Sequence, residues 1–311
     1  MTAPGSGLPL ASRGWEPEGV ELSHEVPDRP RTGLVHRLAR DRNALVGSFI
    51  VASFVAMAVL APLIAPEDPL RITPERLRSP SMAHLLGTDG LGRDLLSRIM
   101  FGARTSLGTA ALAGVLVMTI GVAVGTVAGY FGGLLDSLMM RVVDLILALP
   151  GTVLSFAIAG LFRPSLLAVM LGLVAVWWVG YARIVRSLVL SARERPYIQA
   201  ARALGSGHRR VITRHIVPNV TPAVIVLLTM RMSRLILAIA ALSFLGLGAQ
   251  PPTPEWGSML NESRPYFPSF PHVMLVPGGA IVLVALGLNL LGDGLRDVLD
   301  PRLKPQDASR P

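Results

Sequence analysis

Long apolar runs constrain the fold of this chain more than any other feature. Runs of about twenty mostly uncharged residues recur along it, and a helix of that length crosses a hydrocarbon core of about 30 Å. With 51% hydrophobic residues in 311 and a mean hydropathy of +0.53, the chain is too apolar for an ordinary soluble domain. The sequence therefore predicts an all-α integral membrane protein with six transmembrane helices.

The apolar runs and the polar stretches between them divide the chain into segments. Arg37 and Arg40 precede the first span and favour a cytoplasmic N-terminus, and Arg296 and Lys304 favour the same side for the C-terminus. The predicted segments are a disordered tail (1–33), an interfacial amphipathic helix (34–43), the first span (44–64), an external loop (65–106), a core with the remaining spans (107–304; spans at about 107–129, 134–161, 165–190, 222–247 and 273–291) and a tail (305–311).

The composition excludes several kinds of chemistry. The chain has no cysteine, which rules out disulfides and thiolate nucleophiles. Its only lysine, Lys304, is followed by Pro305, so the chain holds no phosphate-binding GxxxxGK[ST] loop. The histidines form no HExxH pair, and the sequence predicts no catalytic residue and no metal site. The net charge of +9 comes from arginines that flank the apolar runs, which indicates membrane topology and not nucleic-acid binding.

One long polar segment, residues 193–219, interrupts the apolar C-terminal half and predicts two short helices. Pro196 suits a first helical position, and Gly205 suits a left-handed C-terminal cap. Ser206 is the predicted cap of the second helix, and Pro218 is its predicted end. The spacing of apolar residues predicts one apolar face on each helix: Tyr197, Ala201 and Leu204 on the first, and Val211, Ile212 and Ile216 on the second.

The same segment resembles the EAA loop of the membrane subunits of ABC importers. The resemblance rests on Gln199-Ala200-Ala201, on Gly205 and on Val217-Pro218, with Gln199 where the family usually has Glu and Val217 where it usually has Leu. In that family the loop is cytoplasmic and docks into a groove of a separate ATPase subunit. The resemblance implies a coupling loop within 191–220, with candidate residues Tyr197, Gln199, Ala200, Ala201, Leu204, Gly205, His215 and Pro218. The alternative is a solvated basic loop that contacts only lipid headgroups.

Three further stretches resemble the oligopeptide and dipeptide importer permeases, in the subunit type with an extra N-terminal helix. They are residues 86–107, 242–257 and 292–302. The resemblance implies a type I importer permease that forms half of a translocation pore in the cytoplasmic membrane of a prokaryote. It also implies the partners: a second permease subunit, two ATPase subunits that bind ATP and Mg, an extracytoplasmic solute-binding protein and membrane lipid. The solute stays open, because nickel, glycosides or opines pass through similar permeases.

Charged residues in the external loop and the third span give further predictions. Arg141 and Asp144 are spaced at i and i+3, so they can neutralise each other on one face of the third span. Pro150 is predicted to kink that span. In the external loop, four residues can pair among themselves and seat the loop on the membrane face: Asp89, Arg93, Asp94 and Arg98.

Two arginines well inside the fifth span, Arg231 and Arg234, are the most unusual charges in the chain. An arginine at mid-membrane costs about 2.5 to 3.5 kcal/mol on insertion scales, so each should face a water-filled path or a partner. Our hypothesis is that they contact the carboxylate end of a peptide-like solute, with Ser243 on the same path. The alternatives are an acidic residue of another subunit or the inner interface. Ile239 stands where many members of the resembled family have an acidic residue.

Two other classes of function stay open at this point. A secondary transporter or channel that works without an ATPase would place ionisable relays at mid-membrane and would often repeat two similar halves. A membrane-embedded enzyme would need a nucleophile or a metal cluster within the spans. The acidic residues of this chain lie almost entirely in loops. The sequence therefore favours a permease subunit that takes its energy from a partner ATPase.

Overall fold

The computed structural model describes residues 41–299, and every regular element in that range is helical. The helices are α1 (Arg42–Ile64), α2 (Leu95–Phe131), α3 (Gly133–Leu147), α4 (Gly151–Gly160), α5 (Leu166–Arg193), α6 (Pro196–Ala203), α7 (His208–Val211), a π-helical turn (Ile212–Ile216), α8 (Val217–Phe244), α9 (Trp256–Ser263), a 3₁₀ turn (Arg264–Tyr266) and α10 (His272–Leu299). The prediction of an all-α fold class is therefore confirmed.

Five helical stretches are long and apolar enough to cross a membrane: α1, α2, α5, the continuous stretch His208–Phe244, and α10 up to Asp297. The remaining predicted span consists of α3 and α4, which meet at a bend of 83°. The described part of the chain thus holds five spans, or six if the bent pair is one. The side of the membrane on which each end lies remains a prediction. The predicted tails (1–33 and 305–311) and nearly all of the predicted interfacial helix (34–43) lie outside the described residues.

The first two membrane helices begin at aspartate caps. The Asp41 side chain accepts a hydrogen bond from the Ala44 N–H at 2.9 Å, and α1 starts between them at Arg42. Asp94 accepts from the Ser97 N–H at 2.8 Å, which satisfies an otherwise unpaired donor of the first turn of α2. The second membrane helix therefore begins at Leu95, inside the predicted loop 65–106, and the predicted start at Leu107 was wrong.

The predicted third span is broken and not merely kinked. Helix α3 ends at Leu147, and Pro150 stands immediately before α4 as its N-cap. Proline lacks an N–H and disfavours helical backbone in the residue before it, so the helix stops there. The predicted pairing of Asp144 with Arg141 was also wrong, because the carboxylate of Asp144 bonds the guanidinium of Arg183 on α5.

The predicted break between the polar segment and the fifth span is absent. The chain runs without interruption from His208 to Phe244, so Pro218 does not end a helix and Pro222 does not open one. In the π-helical turn before Pro218, the Val217 N–H donates to the Ile212 carbonyl, five residues earlier, and not to a carbonyl four residues earlier as in an α-helix. The Thr221 side chain lies within this helix, and its hydroxyl donates to the Val217 carbonyl at 2.7 Å. The predicted cap Ser206 is likewise replaced by Gly207.

Helices α2 and α5 pack closely along a row of glycines. Gly121, Gly125 and Gly129 lie one turn apart on α2 and face α5. A Cβ atom at Gly125 would lie 2.8 Å from the Cβ of Val185, and one at Gly129 would lie 3.0 Å from the Cβ of Val189. Small residues at such spacing let two membrane helices approach backbone to backbone. This seam, defined by the three glycines, fixes α5 and hence the polar segment that follows it.

Candidate functional site

The polar segment 193–219 forms a compact helical elbow at one end of the bundle. Helix α6 starts at Pro196, as predicted, and Gly205 has the predicted left-handed backbone with φ of 81°. Ile198 is fully buried, and so are Val211 and Ile216 of the predicted second stripe. These three side chains hold the elbow against the spans, which leaves the opposite face of α6 pointing away from the bundle.

That opposite face carries most of the predicted coupling residues. Leu204 is 86% exposed and Tyr197 is 46% exposed, although both are apolar positions. A Cβ atom at Gly205 would have nothing within 4 Å. Of the candidate residues, Tyr197, Gln199, Ala200, Leu204, Gly205 and Pro218 are exposed, whereas Ala201 and His215 are half-buried. The rings of Tyr197 on α6 and His215 on the π-helical turn lie 6.4 Å apart, so the structure brings candidate residues of the two helical pieces close together. We call this surface, formed by the eight residues, the elbow face.

The elbow is tied to the spans by contacts that the sequence did not predict. The Tyr130 hydroxyl lies 2.8 Å from Nδ1 of His208, and the guanidinium of Arg202 lies 5.8 Å from the centre of the Tyr130 ring. Nη1 of Arg193 donates to the Tyr130 carbonyl at 3.2 Å. The last turn of α2 therefore touches α5, α6 and α7. The available signal is the short turn Tyr130-Phe131-Gly132-Gly133, which separates the predicted second and third spans.

A cluster of buried charges marks the opposite end of the bundle. Nε of Arg93 donates to Asp89 at 2.6 Å, and the guanidinium of Arg98 bonds the same carboxylate. Glu262 on α9 accepts from Nη2 of Arg93 at 2.6 Å and from Nη1 of Arg98 at 3.0 Å. The prediction that Asp89, Arg93 and Arg98 pair is confirmed. The fourth predicted member, Asp94, instead caps α2 and lies 3.1 Å from Nδ1 of His84.

Opposite charges within the cluster offset part of the cost of burying its members, although Nε and Nη2 of Arg98 and Oε1 of Glu262 have no hydrogen-bond partner among the described residues. Arg98 is 1% exposed and Asp89 is 5% exposed. Burial opposes ionisation of the Asp89 carboxyl, but the guanidinium of Arg98 and the hydrogen bonds and charge of Arg93 outweigh it, so the pKa of Asp89 lies below its ordinary value. Glu262 was missed at the sequence level, since it stands 164 residues from Arg98 and no local pattern connects them.

The candidate path residues are not gathered at one place. The guanidinium of Arg231 lies 4.9 Å from the centre of the Tyr181 ring on α5, and Arg234 is exposed. Ser243 lies three turns further along α8, is 1% exposed and packs against Gly257. The Tyr181 side chain is 1% exposed, and its hydroxyl has no partner among the described residues. Arg231 and Tyr181 therefore form a cation–π pair between α8 and α5.

No group of three or more histidine, aspartate or glutamate side chains within residues 41–299 has a geometry that could hold a metal ion. The candidate sites within residues 41–299 are the elbow face, the buried charge cluster and the arginines of α8.

Comparison with known proteins gives two family matches. Residues 121–305 match the family described as binding-protein-dependent transport system inner membrane component. Residues 33–80 match the N-terminal TM domain of oligopeptide transport permease C. The elbow lies within the first match, whereas Asp89, Arg93 and Arg98 lie between the two matches.

Individual relatives are similar over most of their length. The chain is 44% identical to the dipeptide transport system permease protein DppC of Alkalihalophilus pseudofirmus, over 86% of this chain and 88% of the relative. It is 42% identical to the nickel transport system permease protein NikC of Escherichia coli, over 83% and 94%. It is 40% identical to the glutathione transport system permease protein GsiD of Pectobacterium atrosepticum, over 86% and 90%.

Proposed function

Because the chain belongs to the family of binding-protein-dependent transport system inner membrane components, as a permease component of an ABC transport system, we propose that it forms half of the translocation pore of an ATP-driven importer. A second permease subunit supplies the other half, and two ATPase subunits that bind ATP and Mg supply the energy. An extracytoplasmic protein delivers the solute. The chain itself catalyses no reaction, and it works in the cytoplasmic membrane of a prokaryote.

The observation that carries this proposal is the elbow face. Leu204 at 86% exposure and Tyr197 at 46% are large apolar side chains that the subunit leaves uncovered. Ala200 and Gly205 beside them add no steric barrier to a partner's approach. An apolar anchor beside small residues is the arrangement that a groove on another protein can bury. We propose that the ATPase subunit provides the groove that buries Leu204 and Tyr197.

Movement of the ATPase can reach the spans through the contacts around Tyr130. A displacement of α6 or α7 pulls on Arg202 and His208, both of which contact the Tyr130 side chain. Tyr130 lies in the last turn of α2, and α2 is packed backbone to backbone on α5 along the glycine seam. The two helices can therefore rock as one unit between inward-open and outward-open arrangements.

For the solute we propose a short peptide with a free carboxylate. Two of the relatives named above transport dipeptides and glutathione, which carry such carboxylates. Arg231, held against the Tyr181 ring in mid-span, is the group suited to contact that carboxylate as the solute passes. Arg234, exposed one turn further on, is the second candidate contact, whereas Ser243 is buried against Gly257 and stays apart from both arginines.

The coupling proposal is tested with Leu204→Asp. Leu204 is exposed, so the change should leave the fold intact but place a charge in the buried part of the ATPase interface. We expect a tagged variant to co-purify with the second permease and to lose the ATPase subunits. Met82→Asp is the matched control, because Met82 is 97% exposed and lies in the loop between α1 and α2.

Two results would contradict the coupling proposal. One is retention of the ATPase subunits by Leu204→Asp to the same extent as by Met82→Asp. The other is solute transport by the purified chain in liposomes that contain no ATPase, which would favour a secondary transporter or channel.

The carboxylate proposal is tested with Arg231→Gln, alone and combined with Arg234→Gln. We expect uptake of a dipeptide with a free carboxylate to fall about tenfold, since a hydrogen bond to a charged group is worth about 1.5 to 3 kcal/mol. Uptake of the same dipeptide as its C-terminal amide should change little. Arg163→Gln, an exposed arginine between α4 and α5, is the control. An equal effect on both peptides, or uptake of neither by the unaltered transporter, would contradict the assignment.

A further inference from the structure

A crevice opens between α1 and α2 on the side of the bundle. It encloses about 430 Å³. Phe54, Val55 and Val59 of α1 form one wall, and Leu107 of α2 forms the other. Buried side chains of α8 and α10, among them Ile236 and Val284, form its floor. The crevice therefore reaches from the membrane-facing surface into the space enclosed by four helices.

Its mouth is kept open by small residues on α2. Gly108 and Ala111 line the crevice and are exposed, as are Val55 and Val59 across from them. A Cβ atom at Gly108 would have no heavy atom within 4 Å. Because α1 and α2 are both long and apolar enough to cross a membrane, the opening between them lies at the depth of the bilayer.

Arg104 is the one charged residue among those that line the crevice. It is exposed and makes no ion pair with any residue from 41 to 299. A guanidinium at the edge of an apolar crevice in a membrane is costly unless an anion or the interface solvates it. The Arg104 side chain therefore needs an anion or the membrane interface outside the described residues.

The depth of Arg104 suits a lipid headgroup. The Glu67 N–H, just beyond the end of α1, donates to Oγ of Ser97 at 3.0 Å, which sets that end of α1 level with Ser97 on α2. Arg104 follows Ser97 by two helical turns, or about 10 Å along the axis. A long arginine side chain at that depth can extend back to the headgroup level while its stem stays in apolar surroundings.

We propose that this crevice binds a membrane phospholipid, with one acyl chain between α1 and α2 and the phosphate on Arg104. The apolar walls fit the acyl chain, and the guanidinium fits the phosphate, which it can bond with two N–H groups. The site is separate from the elbow face and from Arg231, and it does not depend on the solute or the ATPase. A bound lipid would fill the gap between the first membrane helix and the rest of the bundle.

The test uses the full chain purified within its transporter complex and incubated with vesicles of phosphatidylcholine that contain a tenth part of phosphatidylglycerol. The phosphatidylglycerol carries a photoreactive diazirine on one acyl chain. After illumination, the labelled peptides are identified by mass spectrometry. We expect labels on α1 around Val55 and on α2 around Gly108.

Two variants separate the two parts of the site. Gly108→Phe places an aromatic ring at the mouth, where a Cβ atom has no heavy atom within 4 Å, and should abolish the label at these positions. Arg104→Gln should lower apparent affinity for phosphatidylglycerol roughly fivefold, because one basic residue near the membrane surface is worth about 1 kcal/mol. Gly160→Phe is the matched control, since Gly160 is also exposed, helical and without neighbours within 4 Å.

Two outcomes would overturn the proposal. One is labelling that is spread evenly over the exposed apolar faces and is equal in Gly108→Phe and Gly160→Phe, which would mean bulk lipid only. The other is crosslinking of the crevice, through a photoreactive residue placed at Val55, to the second permease subunit and not to lipid. Either result is independent of whether Leu204→Asp releases the ATPase.

Discussion

At one end of this bundle, the residues whose replacement should cost most stability are the members of the buried charge cluster. Asp89 accepts hydrogen bonds from both Arg93 and Arg98, and Glu262 accepts from the same two arginines. A buried ion pair contributes little by comparison with apolar packing, but removal of one partner leaves an uncompensated charge in a poorly solvated place. The cluster therefore holds the start of α2 against α9.

Asp89→Asn should destabilise the protein by about 3 to 5 kcal/mol, since Arg98 then loses its main counter-charge while it stays buried. The measurement is thermal unfolding in detergent at pH 7, followed by tryptophan fluorescence. Glu75→Gln is the control, because the Glu75 side chain is 53% exposed. Equal unfolding temperatures of the two variants would contradict this role for Asp89.

The pH dependence of that difference follows from the lowered pKa of Asp89. A carboxyl with a folded pKa below its ordinary 3.8 contributes stability that is complete above that value and is lost as the pH falls through the folded pKa. The difference in free energy of unfolding between the unaltered chain and Asp89→Asn should thus stay constant from about pH 8 to 5 and decrease only below about pH 4. A gap that already narrows between pH 7 and 6 would point to another group.

At the scale of elements, the way in which helices meet determines which parts can move together. The seam of Gly121, Gly125 and Gly129 brings α2 and α5 so close that any side chain would force them apart. By contrast, α3 and α4 are separated by a sharp bend at Pro150, and α3 is held to α5 through Asp136, which accepts from Nη2 of Arg186 at 2.6 Å. We therefore expect α2 and α5 to move together.

Gly125→Leu should separate α2 from α5 and destabilise the bundle by about 1 to 3 kcal/mol or more, because the added atoms meet the backbone and Cβ of the facing helix. Thermal unfolding of the purified variant checks the loss of stability. Gly160→Leu, where nothing lies within 4 Å of a Cβ atom, should unfold like the unaltered chain. Similar unfolding of the two leucine variants would mean that the seam is not tightly packed in solution.

At the scale of the whole molecule, the two ends of the bundle carry different chemistry. One end holds the buried charge cluster and α9, and the other holds the elbow with its many exposed arginines. The excess of arginine on the elbow side predicts that it is cytoplasmic. The chain has no cysteine of its own, so single cysteines can be introduced as reporters of side.

Gly207→Cys and Met82→Cys should report opposite sides of the membrane. A membrane-impermeant maleimide added to intact spheroplasts should label Met82→Cys and leave Gly207→Cys unlabelled until the membrane is permeabilised. Both positions are exposed, so access to the thiol is limited only by the bilayer. Labelling of Gly207→Cys in intact spheroplasts would reverse the predicted topology.

The sequence by itself determined the features that depend on local chemistry. Runs of apolar residues predicted the membrane helices, and Pro196 and Gly205 predicted the limits of α6, because hydropathy and backbone preference act over a few turns. The charge pairs between Arg93, Arg98 and Asp89 were predictable for the same reason, since the residues stand within ten positions of one another.

Only the tertiary structure decided which distant groups meet. Glu262 bonds Arg98, which stands 164 positions away in the sequence. Asp144 bonds Arg183 and not the nearby Arg141, and the Tyr130 hydroxyl contacts His208. It also decided that Pro150 breaks a helix while Pro218 and Pro222 do not. A π-helical turn precedes Pro218, so the helix continues through it, whereas α3 has already ended before Pro150. Such outcomes depend on how whole helices pack, and packing brings together residues whose spacing in the chain carries no signal.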